Sequence, residues 1–164
     1  MTRCDSPRWP ALLWITLVCL WLAGCAGPQM RMADFDDAPA DSLTIERAMI
    51  LANARQALGL PYRYGGASPS GVDCSGLVQM TYQSAGIAVP RTAEQQRRRL
   101  PQRERVRPGD LMFFGSGAKA THVGIYMGDQ RMIHAPGSGR TVTVTSLAID
   151  YWHERYLGAA GPAP

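Results

Sequence analysis

The spacing of hydrophobic residues changes near residue 110, from a helical period to the alternation of β-strands. The first predicted helix has apolar residues near helical spacing, at Leu43, Ala48, Leu51, Ala54 and Leu58. We expect Asp41 or Ser42 to cap this helix and Gly59 to end it. A second helix is predicted to begin at about Cys74, to continue through Leu77, Val78 and Tyr82, and to end before Gly86. The run Thr92-Ala-Glu-Gln95 predicts a capping box and a short third helix.

Beyond Asp110 the pattern predicts strands separated by glycine-containing turns. The four candidate strands are 111–114, 123–127, 131–135 and 141–145. The turns Gly128–Gln130 and Pro136–Gly139 suit hairpins. Helices followed by an antiparallel sheet indicate an α+β fold. The closing run, residues 158–164, lacks large apolar side chains and is expected to fray.

The amino terminus has the features of an export signal. Arg3 and Arg8 precede an apolar run from Pro10 to Leu22, which is followed by Ala-Gly-Cys25. A transmembrane anchor is the alternative, but thirteen helical residues span only about 20 Å of a hydrocarbon core about 30 Å thick. The sequence therefore favours a removable signal over residues 1–24.

The run Leu22-Ala-Gly-Cys25 resembles a bacterial lipobox, in which the cysteine is lipidated and becomes the first mature residue. A plain signal with a coincidental cysteine is the alternative. Ala26, which follows the cysteine, suggests delivery to the outer membrane. We expect residues 25–42 to form a lipidated amino terminus and a solvated tether, 43–160 to form one domain, and 161–164 to be a disordered tail.

Composition restricts the class of protein. The chain is 46% hydrophobic and 18% charged, which argues against wholesale disorder. Its formal charge of +4 owes much to an arginine cluster over residues 97–107, which we interpret as a solvated face. Nucleic-acid binding is not expected for an exported lipoprotein, whereas attraction to anionic wall or lipid groups stays open.

Cysteine usage points to chemistry at one residue. Cys4 and Cys19 would leave with the signal and Cys25 would carry lipid, so only Cys74 remains in the mature chain. One thiol can form neither an intramolecular disulfide nor a cysteine-cluster zinc site. Because Cys74 immediately precedes a predicted helix, the helix amides are expected to stabilise its thiolate. The alternative is an inert buried cysteine.

Two of the three histidines lie on adjacent predicted strands and are candidates for the base that a thiol nucleophile needs. With the hairpin centred near residue 128, His122 and His134 would be directly opposed, so that one could orient the other. His153 has no such register and is expected on the surface. Zinc held by two histidines and the cysteine is the competing use, although no carboxylate is placed to complete the site.

Five motifs occur in order across residues 44–158: Pro61-Tyr-Arg-Tyr-Gly-Gly66, Asp73-Cys-Ser-Gly-Leu77, Pro90-Arg-Thr92, Pro108-Gly-Asp-Leu111 and His122-Val-Gly-Ile-Tyr126. Together they resemble the NlpC family of cell-wall peptidases, which are compact papain-like cysteine peptidases. The resemblance implies Cys74 as nucleophile, His122 as base and acid, and His134 as the residue that orients His122. No cofactor or metal is implied.

The resemblance also implies a substrate-binding set around the nucleophile. Tyr62 matches a tyrosine that helps to hold the oxyanion or substrate, although a loop aromatic packed over the core is the alternative. Asp73 and Ser75 match positions that contact the peptide, although Asp73 is equally suited to capping the helix. Arg91 matches a recurrent arginine to which the sequence assigns no role.

The implied activity is hydrolysis of peptidoglycan peptides by a monomeric outer-membrane lipoprotein facing the periplasm. Two bonds fit, the D-Ala–diaminopimelate cross-link and the γ-D-Glu–diaminopimelate stem bond, and we favour the cross-link. A catalytically silent wall-binding module on the same fold is the alternative of a different class.

Overall fold

In a computed structural model, the described residues are 32, 34–37 and 42–161. The helices are α1 (Ile45–Gln56), α2 (Cys74–Ser84), α3 (Ala93–Arg99) and α4 (Asp150–His153). The strands are β1 (Asp34–Phe35), β2 (Ala67–Ser68), β3 (Gly71–Val72), β4 (Gln102–Arg103), β5 (Arg105–Val106), β6 (Leu111–Phe114), β7 (His122–Gly128), β8 (Arg131–His134), β9 (Thr143–Ser146) and β10 (Tyr156–Ala160). The predicted signal and Cys25 lie outside the described residues. Within the described part, no helix is both long and apolar enough to cross a bilayer.

Six strands form one antiparallel sheet in the order β4-β10-β6-β7-β8-β9. Helices α1 and α2 pack together on one face, where α2 lies against β7. The buried core between them includes Ile50, Leu77, Val123 and Ile133. This arrangement confirms the predicted α+β fold of amino-terminal helices on an antiparallel sheet.

The three predicted helices match their sequence patterns closely, with one difference at a cap, whereas the short helix α4 was not predicted. Helix α2 begins at Cys74 and ends before Gly86, as predicted. Helix α1 is capped by Thr44, whose hydroxyl accepts a hydrogen bond from the Arg47 amide, so the expected cap at Asp41 or Ser42 is wrong. Threonine serves because its side-chain oxygen reaches the amide three residues on, as serine or aspartate would.

Strand β10 corrects the prediction for the end of the chain. Gly158, Ala159 and Ala160 were expected to fray, but they belong to a strand that lies between β4 and β6 inside the sheet. Small residues are suited to this position because Ala159 and Ala160 are buried on opposite faces, in two different hydrophobic clusters. Gly161 continues the pairing by donating to the Pro101 carbonyl at 3.0 Å.

The β7–β8 hairpin has a different register from the predicted one. Asp129 and Gln130 both have positive φ, the combination of a type I′ turn, and a bulge follows Tyr126. Ile125 therefore pairs with Ile133, so His122 and His134 are diagonal neighbours rather than directly opposed. The error arose because the pattern cannot show where the extra bulge residue falls.

A second hydrophobic cluster covers the opposite face of the sheet, and the amino-terminal segment packs onto it. Strand β1 pairs in parallel with β5, and the Phe35 ring stacks on Tyr126 with 4.9 Å between centroids. The Tyr126 hydroxyl donates to Asp37. Residues 34–37 of the predicted tether are thus docked, because an aromatic ring gains free energy by leaving water.

The Pro-Gly-Asp-Leu motif has a structural role. Arg47 of α1 pairs with Asp110 at 3.0 Å, with both side chains almost fully buried, and also donates to the Pro108 carbonyl at 2.9 Å. The Tyr82 hydroxyl of α2 donates to the Gly109 carbonyl. This turn therefore joins both helices to the start of β6.

Candidate active site

Cys74 is the first residue of α2, and its position is set by close backbone packing. Asp73 caps the helix by accepting a hydrogen bond from the Gly76 amide at 2.7 Å. A Cβ atom on Gly76 would lie 1.9 Å from the Gly66 carbonyl oxygen, so only glycine allows the helix to approach the 61–66 loop this closely. The thiol is held at the junction of the loop, α2 and β7.

The electrostatic environment of the thiol differs from the sequence expectation. Burial raises the pKa of Cys74, and the Asp73 charge raises it further, against hydrogen bonds from the backbone amides of Val123 and the helix start that lower it. The helix amides do favour the thiolate, but burial outweighs them. The net direction is the opposite of the expected one, so Cys74 is a neutral thiol at physiological pH.

Two histidines on adjacent strands form a direct hydrogen bond. Nε2 of His122 lies 2.8 Å from Nδ1 of His134, and Nε2 of His134 lies 2.9 Å from the Thr145 hydroxyl. His122 is the first residue of β7, immediately before Val123, whose amide bonds the sulfur. The strand therefore brings His122 toward the Cys74 thiol, and β8 and β9 extend the hydrogen-bonded chain behind it.

The hydrogen-bond partners of the two histidines determine which of their ring nitrogens carry protons. When Thr145 accepts from Nε2 of His134, Nδ1 of His134 is free to accept from Nε2 of His122. His122 then has an unprotonated Nδ1, which can take up the thiol proton. The imidazolium formed by that transfer keeps the same hydrogen bond to His134.

Trp152 shields this histidine pair from water. Its ring stacks on His122 with 5.7 Å between centroids and meets His134 edge-on at 5.4 Å. Burial lowers the pKa of His122 to about 4 and, together with the charges of His122 and Arg140, that of His134 to about 3. Both histidines are therefore neutral at physiological pH, as a base and its orienting partner require.

Arg91 joins the residues on the other side of the nucleophile. Its guanidinium donates to both carboxylate oxygens of Asp73 at 3.0 and 2.7 Å, to the Ser75 hydroxyl at 3.0 Å and to the Gly66 carbonyl at 3.3 Å. Burial raises the pKa of Asp73, but the hydrogen bonds from Arg91 and backbone amides outweigh it and leave a net decrease. Asp73 is thus an ionised carboxylate fixed beside Cys74.

Tyr62 lies near this network and is half-buried. Burial raises the pKa of its hydroxyl, and the nearby Cys74 and Asp73 raise it further. The phenol therefore stays protonated and can donate a hydrogen bond. Its amide donates to the Arg140 carbonyl at 2.9 Å, which connects the 61–66 loop to the loop before β9.

Asp73 and Ser75 adjoin Cys74 in the chain, and Tyr62 is close enough for the Cys74 charge to raise its pKa. His122 precedes Val123, whose amide lowers the pKa of Cys74, and His134 is bonded to His122. His153 is exposed. The structure adds Thr145, Trp152 and the role of Arg91, which sequence reasoning missed. A threonine in a strand and a tryptophan in a short helix carry no local signal of such a role. No group of three or more potential metal ligands occurs among the residues that the structure describes.

Comparison with known proteins agrees with this geometry. Residues 59–161 match the NlpC/P60 family. The chain belongs to that family. It is 43% identical over 112 residues to the murein DD-endopeptidase MepH of Escherichia coli, covering 63% of this chain and 41% of MepH. It is 40% identical over 115 residues to the bifunctional muramidase/DL-endopeptidase CwlT of Bacillus subtilis, covering 66% of this chain and 34% of CwlT.

Solved structures of the family share the fold. A crystal structure of an NlpC/P60 family protein from Bacillus cereus superposes with a TM-score of 0.68 at 35% identity, covering 72% of this chain and 40% of that one. This confirms the papain-like α+β fold that the sequence motifs implied. The chain spans less than half the length of these relatives, so their similarity concerns the domain that it shares with them.

Proposed function

We propose that this protein is a peptidoglycan endopeptidase that uses Cys74 as its nucleophile. The observation that carries the proposal is the continuous chain from His122 through His134 to Thr145, which starts one residue from the amide that bonds the thiol. Relatives named as murein endopeptidases support the same activity. Among the bonds that such enzymes cut, we favour the D-Ala–diaminopimelate cross-link.

The reaction follows from the protonation states. His122 Nδ1 takes the proton of the Cys74 thiol as the sulfur attacks the scissile carbonyl. Amides at the start of α2 and the Tyr62 hydroxyl donate to the oxygen that becomes negative. His122 then delivers its proton to the leaving amine, which departs and leaves a thioester on Cys74. Water, deprotonated by His122, hydrolyses the thioester and restores the thiol.

Mass spectrometry of purified muropeptides after digestion tests the activity and the bond together. We expect the wild type to convert cross-linked dimers to monomers, with one product ending in D-Ala. The Cys74→Ser variant should fold, because the exchange is nearly isosteric, but lose turnover by orders of magnitude. A product ending in γ-D-Glu would assign the stem bond instead, and binding without cleavage would support a silent wall-binding module.

We further propose that the mature chain is an outer-membrane lipoprotein anchored through Cys25 and acting as a monomer in the periplasm. The lipobox-like run Leu22-Ala-Gly-Cys25 and the apolar segment before it support this. Lipid chains anchor a protein by burying methylene groups, so Cys25→Ala should abolish lipid labelling and membrane retention. Unchanged fractionation of Cys25→Ala would contradict the lipid anchor.

A further inference from the structure

A large cleft lies on the histidine side of the nucleophile. Its volume is about 990 Å³, and its catalytic wall is formed by His122, His134 and Trp152. The residues of the opposite network, Asp73, Ser75, Arg91 and Tyr62, do not line it. Cys74 does not line the cleft either, so the cleft opens beside the histidines, and the network around Arg91 forms a separate surface.

The chemistry decides which half of a substrate this cleft receives. The general acid must reach the nitrogen that leaves, and that acid is His122. The half of the substrate that supplies the amine must therefore lie beside His122, in the cleft. The acyl half then lies toward Asp73 and Arg91. This assignment rests on the proposed function.

The charge in the cleft is positive. Arg140 and Arg155 both line it, and the described lining includes no acidic side chain. Arg155 is already engaged, because it donates to Glu154 and Tyr151 at 3.2 Å and lies 4.1 Å above the Tyr151 ring. Arg140 is exposed, and its guanidinium forms no hydrogen bond or ion pair with any residue that the structure describes.

The backbone around Arg140 is fixed by hydrogen bonds. Its carbonyl accepts from the Tyr62 amide at 2.9 Å, its amide donates to Gly137 at 3.2 Å, and Pro61 pairs with Thr141 as an isolated bridge. The loop that carries the free cation is thereby joined to the loop that carries Tyr62. A preorganised cation binds an anion with a smaller entropic cost than one on a mobile loop.

Hydroxyl groups stand beside this cation. Thr141, Thr143 and Thr145 alternate along the chain and all line the cleft. Thr145 is used by His134, and the Thr143 hydroxyl donates to the Val144 carbonyl only at 3.5 Å, the long limit of a hydrogen bond. Thr141 and, by giving up that long contact, Thr143 can therefore donate to a ligand. A guanidinium with neighbouring hydroxyls is a suitable site for a carboxylate.

We infer that Arg140, assisted by Thr141 and Thr143, binds the free carboxylate of the residue whose amine is released. In the D-Ala–diaminopimelate cross-link, the acylated distal amine of diaminopimelate is on a carbon that also bears a free carboxylate. In the stem bond, the carboxyl next to the acylated amine is itself in a peptide bond. The cleft therefore selects a cross-link whose amine side ends in a carboxylate.

Two synthetic cross-linked dimers test this inference, one with that distal carboxylate free and one with it converted to a primary amide. We expect Arg140→Gln to raise KM about tenfold for the free carboxylate, the size of a lost charge-assisted hydrogen bond, and to leave the amide unaffected. Arg140→Lys should retain part of the preference. The matched control is Arg155→Gln, which removes a cation from the same cleft and should alter neither KM.

Binding of the same dimers to the inactive Cys74→Ala variant separates this inference from the proposed activity. We expect the amide dimer to bind about tenfold more weakly than the carboxylate dimer, and Cys74→Ala/Arg140→Gln to bind both equally. Equal binding of the two dimers to Cys74→Ala overturns the subsite, even if the wild type cleaves both. An Arg155→Gln effect as large as that of Arg140→Gln overturns it as well. Wild-type enzyme that cleaves neither dimer contradicts the proposed function, while the binding preference still tests the subsite.

Discussion

His122 and His134 meet through Nε2 of the first and Nδ1 of the second, at 2.8 Å. When the Thr145 hydroxyl accepts from Nε2 of His134, Nδ1 of His134 accepts from His122 and holds its ring in place, and Nδ1 of His122 is unprotonated. The two residues are diagonal neighbours on adjacent strands, a relationship that the type I′ turn and the bulge create. The predictions below test how this pair and its surroundings work.

Substitutions of the two histidines should have graded effects on muropeptide turnover. His122→Ala removes the base and should have almost no turnover. His134→Gln or His134→Asn keeps a hydrogen-bonding group and should turn over substrate faster than His134→Ala. His153→Ala is the control and should equal the wild type, since His153 is exposed. Circular dichroism checks that each variant is folded. A normal His122→Ala enzyme with an inactive His153→Ala would show that the assignment is wrong.

Thr145 should act through His134 rather than on substrate. Thr145→Val keeps the shape but removes the hydroxyl, so it should lower kcat by roughly three- to tenfold, the size of one neutral hydrogen bond. Thr145→Ser keeps the hydroxyl and should restore most of the rate. The pH profile identifies a positioning role, because loss of the acceptor should shift the acid limb for Thr145→Val and not for Thr145→Ser. Equal rates for the two variants would show that the Thr145 hydroxyl does not act through His134.

The fall of activity on the acid side of the pH profile should occur at an unusually low pH. Burial lowers the pKa of His122 to about 4, so the base stays unprotonated at pH 5 and kcat/KM should fall only near pH 4. Burial also raises the pKa of the Cys74 thiol, so the neutral pair persists well above neutral pH. An acid limb near pH 6.5, the ordinary histidine value, would contradict the shielding by Trp152.

Stability should show the same burial through its pH dependence. Because the folded pKa of His122 lies below the unfolded value of 6.5, the unfolded state binds more protons between about pH 4 and 6.5, and stability decreases as pH falls through that window. The free energy of unfolding should decrease by on the order of 3 kcal/mol by pH 4. Urea unfolding at pH 7, 5.5 and 4.5 measures it. His122→Gln, which cannot titrate, should lose less stability than the wild type over this range.

Arg91 should matter for the geometry at Asp73 more than for global stability. The pair is partly exposed, so Arg91→Gln should cost only about 1 kcal/mol in the free energy of unfolding. Turnover should fall by more than tenfold, because Asp73 and Ser75 lose the group that fixes both of them. Arg98→Gln is the control, since it removes an exposed arginine that pairs with Glu94. Unchanged turnover in Arg91→Gln would show that the network is only structural.

The docked amino-terminal segment should contribute to stability. Phe35→Ala removes a ring that stacks on Tyr126, so it should lower the free energy of unfolding by about 1–3 kcal/mol. Tyr64→Ala is the matched aromatic control; Tyr64 is 90% exposed, and its loss should change stability little. Urea denaturation of full-length protein measures both. A Phe35→Ala variant as stable as the wild type would mean that β1 adds nothing to the fold.

The sequence by itself predicted helices α1 to α3, strands β6 to β9 and Cys74 as the candidate nucleophile. Helix α2 was predicted with its bounds because its cap, its apolar spacing and its terminating glycine are all local signals. Cys74 stood out because it is the one cysteine outside the predicted signal and the predicted lipidation site. Strand β10 was missed because small residues give no hydrophobic period, and its place inside the sheet depends on pairing with distant β4 and β6.

Only the tertiary structure decided the register and electrostatics of the site. Because of a bulge, His122 and His134 are diagonal neighbours on adjacent strands rather than directly opposed. Burial raises the pKa of Cys74, although the helix amides alone would lower it. Thr145, Trp152 and Arg91 come from separate segments and touch the site through contacts that no local pattern encodes. Hydrogen-bond geometry and desolvation depend on which segments meet in space, so the sequence could name the candidate groups but not their protonation states.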